Sequence, residues 1–193
     1  LKLLAKKNNQ HAMVTEQHAD FKFFDDAEVE VHYLPTMLRN PFANRRLQKW
    51  MNEQENRQFI NINKNELCVP TFEFNLIYLL IHTFRHIFGE GIGLRQIMDY
   101  YMLLRSETIS DQMKSKTMKS IRSLHIDEFT AGLMWVLKEV FALPEERMLC
   151  VPNKKHGMFI LNEIMIAGNM GHYDKRLASM RNASKIKQFV LIN

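Results

Sequence analysis

One short segment of this sequence, Glu28-Val29-Glu30-Val31-His32-Tyr33, alternates polar and apolar side chains over the length of a β-strand. Since successive residues of a strand point to opposite faces, Glu28, Glu30 and His32 should share one face. Two carboxylates and an imidazole on one face can bind a metal ion or move a proton. The competing interpretation is the solvated face of an edge strand, and the alternation alone favours it.

A second candidate site lies on a predicted helix that Thr71 caps and that ends at Phe88. His82 and His86 are four residues apart on this helix, so their imidazoles share a face, and that spacing suits zinc. No glutamate follows His82, as the H-E-x-x-H motif requires, and the helix is apolar nearly all round. We therefore expect both histidines to line a pocket rather than to hold zinc.

The next predicted helix, from Leu94 to Arg105, places Arg95 and Asp99 opposite its apolar stripe. In one interpretation these residues form a surface ion pair of small energy. In the other, Asp99 holds Arg95 so that its guanidinium points at a phosphate. The spacing alone favours the ion pair.

Composition limits the class of protein. The chain has 193 residues, of which 46% are hydrophobic, and a formal net charge of +5, which suits a polyanionic ligand without requiring one. Its two cysteines, Cys68 and Cys150, lie far apart and form no C-x-x-C, so we expect a reduced, cytoplasmic protein. No secretory leader and no apolar run as long as a membrane span is visible.

The predicted elements give an α+β protein. Strands from Val14 to Phe24 and from Glu28 to Leu34 form a hairpin around a turn at Asp25-Asp26. The stretch from Phe59 to Val69 is predicted as an irregular or strand-like connection. The glycines between Gly89 and Gly93 are predicted to form a hinge rather than a phosphate loop.

Six helices are predicted. The first is capped by Asn40, has Pro41 at its first position and ends at about Asn56. The others are Thr71–Phe88, Leu94–Arg105, Ser110–Leu124, Asp127–Phe141 (capped by Asp127) and Met158–Asn169.

Several motifs follow one another in an order that resembles a known family. They are Val29-Glu30-Val31-His32, Leu67 to Pro70, His82 to His86, Gly93-Leu94-Arg95-Gln96-Ile97-Met98-Asp99, and Gly168 to Tyr173. This ordered set resembles an uncharacterised, bacterial branch of the nucleotidyltransferase superfamily, whose fold is that of DNA polymerase β. The resemblance extends from about residue 10 to residue 176.

The resemblance implies a catalytic centre in which a glycine–serine turn holds the nucleotide phosphates and three carboxylates bind Mg²⁺. Glu30 corresponds to the third carboxylate, which makes it the expected catalytic and metal-binding residue, with His32, His82, His86, Arg95 and Asp99 as pocket residues. The glycine–serine turn and the paired Asp-x-Asp strand do not occur in this sequence. Because the chain begins at Leu1 without Met, and residues 1–7 look like the end of a helix, we expect an amino-terminally incomplete protein. Residues 1–36 would then be the end of a nucleotidyltransferase α/β domain, and residues 37–193 a helical domain.

Three functions compete. The first is metal-dependent transfer of a nucleotidyl group from a nucleoside triphosphate to a hydroxyl acceptor, with the 193 residues inactive by themselves. The second is a non-catalytic helical module that binds a nucleotide or a protein. The third is nucleic-acid binding by the basic tail from Tyr173 to Asn193; this tail lacks interleaved aromatic residues, so a solvated basic end is favoured over it.

Overall fold

The structure is a computed structural model that describes residues 13–14, 18–21, 24, 26, 29–32, 34–53, 57–62, 65–89 and 91–168. Within these residues there are five short strands and six α-helices, and they follow one another as three strands, one helix, two strands and five helices. The predicted α+β class is confirmed. The predicted division at residue 36 stays a prediction, and both the predicted helix end at residues 1–7 and the basic tail lie outside the described residues.

An antiparallel sheet opens the described chain. Its strands are β1 (Met13–Val14), β2 (His18–Phe21) and β3 (Val29–His32), in that spatial order. The predicted hairpin is therefore present, although β2 is shorter than the predicted strand. Ala19 and Phe21 bury one face of β2, with 0% and 2% of their surfaces exposed.

A second hairpin replaces the connection predicted between Phe59 and Val69. Strands β4 (Arg57–Ile62) and β5 (Asn65–Pro70) pair antiparallel from Arg57 opposite Pro70 to Ile62 opposite Asn65. Each strand satisfies the backbone groups of the other. The residues of one strand do not reveal which other strand it pairs with, so the sequence showed only strand-like character here.

Side-chain caps define where the helices begin. In α1 (Pro41–Glu53), Asn40 Oδ1 accepts hydrogen bonds from the backbone N–H groups of Phe42 and Ala43, both at 3.0 Å. In α2 (Phe72–Gly89), Thr71 Oγ1 accepts from Phe74 N at 3.3 Å. Both predicted caps are confirmed.

The remaining helices agree with the prediction except at two starts. They are α3 (Leu94–Ser106), α4 (Asp111–Ser123), α5 (Asp127–Phe141) and α6 (Lys154–Ala167). Ile126 occupies the cap position of α5, so Asp127 is the first helical residue, where its carboxylate favours the positive end of the helix dipole. Helix α6 begins before the predicted Met158, because Asn153 Oδ1 accepts from His156 N at 3.1 Å.

The predicted glycine hinge separates α2 from α3. Gly91 has a φ angle of 82°, a conformation that side chains with a Cβ rarely adopt, and its N–H donates to His86 O at 2.7 Å. Gln96 then reaches back, and its Oε1 accepts from Gly93 N at 3.1 Å. The chain therefore reverses sharply, and α3 packs back on α2.

One buried hydroxyl fastens these two helices together. Tyr100 on α3 is fully buried, and its hydroxyl donates to Leu76 O of α2 at 2.8 Å. Burial raises the pKa of this phenol far above its ordinary value. The aliphatic core surrounds this contact and includes Leu47, Leu76, Leu80, Ile97, Leu104, Ile121, Leu133, Met134 and Val136. None of the described helices has both the length and the apolar character needed to cross a membrane.

Two glycines allow α5 and α6 to approach closely. A Cβ added at Gly157 of α6 would lie 2.7 Å from Trp135 Cβ on α5. A Cβ added at Gly132 of α5 would lie 2.9 Å from the backbone carbon of His156. Atoms that are part of a backbone or attached directly to it cannot move aside cheaply, so both positions require glycine.

We expect Gly157→Ala to destabilise the protein by about 1–3 kcal/mol, because the new methyl group overpacks the contact between α5 and α6. The sign of this change in the free energy of unfolding is informative, since replacing glycine by alanine in an unobstructed helix would instead stabilise the helix by about 1 kcal/mol. Urea denaturation followed by circular dichroism measures the difference. The neighbouring, exposed Met158→Ala is the control and should change stability by less than about 0.5 kcal/mol. Equal or greater stability of Gly157→Ala would contradict the packing.

Candidate functional site

The pairing of β2 with β3 collects four polar side chains on one face of the sheet. His18 lies opposite His32, and Asp20 lies opposite Glu30. Directly opposed residues of antiparallel strands point to the same side. Because Ala19 and Phe21 fill the buried side, the four polar residues form one cluster on the other face, which we call the polar quartet.

The Glu30 carboxylate lies between the two imidazoles of the polar quartet. Glu30 Oε1 is 3.0 Å from His18 Nδ1 and 3.4 Å from His32 Nε2. The other nitrogen of His18, Nε2, is 3.6 Å from Asp20 Oδ1. The two imidazole rings are 5.2 Å apart between centroids and tilted by 45°. Two neighbours therefore restrict the orientation of Glu30, while half of its side-chain surface remains open to solvent.

Three of these residues offer ligand atoms close enough for one metal ion. Three donor atoms, one each from His18, Glu30 and His32, lie within 4.8 Å of one another. The sequence predicted that Glu30 and His32 share a face, and the structure brings them together as predicted. The role of Glu30 as a metal ligand stays a prediction.

Tyr78, on helix α2, is affected by the charge of one member of the polar quartet. Burial raises the pKa of the Tyr78 phenol, the positive charge of Arg85 lowers it, and the negative charge of Glu30 raises it again. A carboxylate acts on a phenol in this way only at short range, because solvent and salt screen distant charges. Arg85 and Glu30 therefore act on the same phenol with opposite signs.

A row of aromatic rings runs along this face of α2. Trp50 of α1 stacks on Phe74 at 5.5 Å, Phe74 on Tyr78 at 5.6 Å, and Tyr78 on His82 at 5.9 Å. The His82 and His86 rings then meet edge to face, with centroids 4.2 Å apart. The four-residue spacing predicted that these two histidines share a face, and they do. Both are partly buried, and their role as pocket residues stays a prediction.

Arg95 and Asp99 are exposed residues of α3, on the side away from the buried Ile97 and Tyr100. They are not part of the polar quartet. The motif that contains them has a visible structural use, since Gln96 caps the helix at Gly93. Their proposed contact with a phosphate stays a prediction.

Sequence reasoning missed His18, Asp20, Tyr78 and Arg85. A signal for the first two was present, because His18-Ala19-Asp20 has the same alternation as Glu30-Val31-His32 and lies in the strand predicted to pair with it. The alternation paired Glu30 with Glu28 on its own strand, whereas the register places another carboxylate, Asp20, opposite it. No local signal could have shown that the charge of Glu30 acts on Tyr78, since the two residues are far apart along the chain.

The charges around Tyr78 make a testable prediction of this geometry. In Glu30→Gln the pKa of Tyr78 should fall, because a negative charge that disfavours the phenolate is removed. In Arg85→Gln it should rise, because a positive charge that favours the phenolate is removed. Nuclear magnetic resonance of ring-labelled tyrosine, assigned with Tyr78→Phe, follows the titration. The exposed Glu139→Gln on α5 is the matched control, and an unchanged Tyr78 in Glu30→Gln would contradict the proximity of the sheet and α2.

A comparison with known proteins places the chain in a family. The pattern of a family described as uncharacterised nucleotidyltransferase matches residues 2–142, which is more than half of the chain and includes the polar quartet and α2. No curated protein and no solved structure matches the chain. Membership of such a family indicates a nucleotide as substrate. The chain belongs to the uncharacterised nucleotidyltransferase family.

Proposed function

We propose that this protein transfers a nucleotidyl group from a nucleoside triphosphate to a hydroxyl acceptor. The observation that supports it most directly is the Glu30 carboxylate, held between His18 and His32 on paired strands in a chain of this family. A carboxylate mounted in this way can orient a hydroxyl group and accept its proton. Strands provide a rigid support, so the orientation is not lost to loop motion.

In the proposed reaction the acceptor oxygen attacks the α-phosphorus of the triphosphate. The new bond joins that oxygen to phosphorus, the bond between the α-phosphorus and the bridging oxygen breaks, and pyrophosphate leaves. The hydroxyl proton passes to the Glu30 carboxylate. Arg85 lies about two helical turns after Tyr78 on α2, so the two share a face, and we assign its guanidinium to the phosphate oxygens.

The family resemblance implies Mg²⁺, whose preferred ligands can be compared with the donor atoms of the polar quartet. Mg²⁺ takes oxygen ligands in near-octahedral geometry. The trio of His18, Glu30 and His32 offers two imidazole nitrogens and one carboxylate, so its donor set does not fit Mg²⁺. No step of the proposed transfer depends on Mg²⁺ held by these three residues.

Label transfer tests the role of Glu30. The natural gene product that contains these residues is incubated with α-labelled nucleoside triphosphates and a panel of sugar, nucleotide and protein hydroxyls, and both label transfer and pyrophosphate release are measured. We expect Glu30→Gln to lower the rate by about 100-fold or more, because the group that receives the proton is lost. The exposed Glu139→Gln should leave it unchanged.

Other outcomes of this assay would contradict the proposal. Equal rates for Glu30→Gln and the unaltered protein would remove Glu30 from the catalytic centre. Nucleotide binding without transfer or pyrophosphate release would favour the non-catalytic module instead.

The 193 residues alone should transfer poorly. The resemblance implies a glycine–serine turn for the phosphates and an Asp-x-Asp strand for the metal, and neither occurs in this sequence. We expect label transfer by the 193-residue chain at the background of a protein-free reaction, under conditions in which the natural gene product is active. Mg²⁺-dependent transfer by the 193-residue chain would contradict this expectation.

A further inference from the structure

Two separations in the polar quartet are close to those of a transition-metal site. Zinc bonds to nitrogen and oxygen are about 2.0–2.1 Å long, which in a tetrahedron puts neighbouring ligand atoms roughly 3.3–3.4 Å apart. Glu30 Oε1 lies 3.0 Å from His18 Nδ1 and 3.4 Å from His32 Nε2. One donor atom from each residue lies within 4.8 Å of the other two, so rotation of the side chains would bring the three donors to one ion.

The backbone holds these donors in place before any ion binds. His18 and His32 form a directly opposed cross-strand pair, with Glu30 two residues before His32 on β3. On the other face of β2, Ala19 and Phe21 are buried and hold the strand in this register. Sites supported by paired strands are more precise than sites on loops.

The donor types select the class of metal ion. Imidazole nitrogen suits Zn²⁺, Co²⁺, Ni²⁺ and Cu²⁺, whereas Mg²⁺ prefers oxygen. Asp20 adds a carboxylate behind the first ligand, since its Oδ1 lies 3.6 Å from His18 Nε2, the nitrogen that faces away from Glu30. A carboxylate on the outer nitrogen of a metal-bound histidine sets the orientation and basicity of that ring.

The site is also open. The side chains of His18, His32 and Glu30 expose 25%, 37% and 50% of their surfaces. Three protein ligands with an open position are typical of catalytic zinc sites, whereas structural zinc sites have four and are closed. Without an ion, the same contacts would be weak pairs between partly exposed groups, which contribute little to stability.

We propose that His18, Glu30 and His32 bind a divalent transition-metal ion of the Zn²⁺ class, with Asp20 as the residue that orients His18. The fourth position is left to water or to an oxygen atom of a substrate. This binding does not depend on nucleotidyl transfer by the same chain. The two imidazole nitrogens that favour such an ion are also the reason why the trio fits Mg²⁺ poorly.

Cobalt titration of the 193-residue chain, after removal of metals with a chelator, tests the proposal directly. We expect one equivalent of Co²⁺ to give the visible absorption of a four-coordinate site, one equivalent of Zn²⁺ to abolish it, and millimolar Mg²⁺ to leave it unchanged. His18→Ala and His32→Ala should each weaken Co²⁺ binding by about 100-fold or more, and Asp20→Asn by about 10-fold to 100-fold. Circular dichroism checks that each variant is folded.

His86→Ala is the matched control, because His86 belongs to the other pair of adjacent histidines, on α2. It should bind Co²⁺ as tightly as the unaltered chain. In the unaltered chain, paramagnetic Co²⁺ should broaden the ring signals of His18 and His32 first, which tests the site even if a variant fails to fold.

Four results would overturn the proposal. They are no Co²⁺ binding at millimolar concentration, displacement of Co²⁺ by Mg²⁺, a loss of binding in His86→Ala, or an absorption band from a cysteine thiolate bound to cobalt. The titration and the label-transfer assay measure different properties, so failure of one is distinguishable from failure of the other.

Discussion

The register between β2 and β3 is the constraint on which the candidate site depends. Side chains alternate along a strand with a period of two, so a slip of one residue would turn His18 and Asp20 toward the interior and Ala19 and Phe21 toward solvent. Burial of the two apolar residues opposes such a slip. The same burial therefore fixes the distances between the imidazoles and the carboxylate, although Ala19 and Phe21 do no chemistry themselves.

The helices matter to the site mainly through α2. This helix is held at its start by the Thr71 cap, at its end by the reversal at Gly91, and along its length by the hydroxyl of Tyr100. These contacts leave one face of α2 for the ring row that ends in His82 and His86. Tyr78 lies in the middle of that row and is acted on by charges from both its own helix and the sheet. A change in the position of α2 would therefore alter the electrostatics around Glu30.

The electrostatic character of the polar quartet is mixed, which explains why it supports more than one chemical role. Two carboxylates and two imidazoles alternate in the cluster, and each of these three contacts joins an imidazole to a carboxylate. Such an arrangement can hold a carboxylate for proton transfer, and it can also present nitrogen ligands to a metal ion. The two roles use the same carboxylate of Glu30, so an ion bound there would occupy the group to which the proposed transfer assigns the proton.

Local patterns in the sequence were enough to predict the elements that have strong local signals. The alternation around Glu30 predicted β3, Asn40 with Pro41 predicted the start of α1, and Thr71 predicted the start of α2, because capping and alternation act between residues close in the chain. The order of short motifs indicated the family. Weak local preferences gave less: the region of β4 and β5 was predicted only as irregular or strand-like, and the start of α6 was placed too late.

The sequence alone thus determined the α+β class, the family and the presence of a carboxylate and an imidazole on one strand face. Only the tertiary structure decided which residues surround Glu30. His18 and Asp20 reach it through strand pairing, and its charge acts on Tyr78 of α2, which is more than forty positions away in the chain. Pairing and packing are set by burial over the whole fold, and for that reason no local pattern could specify them.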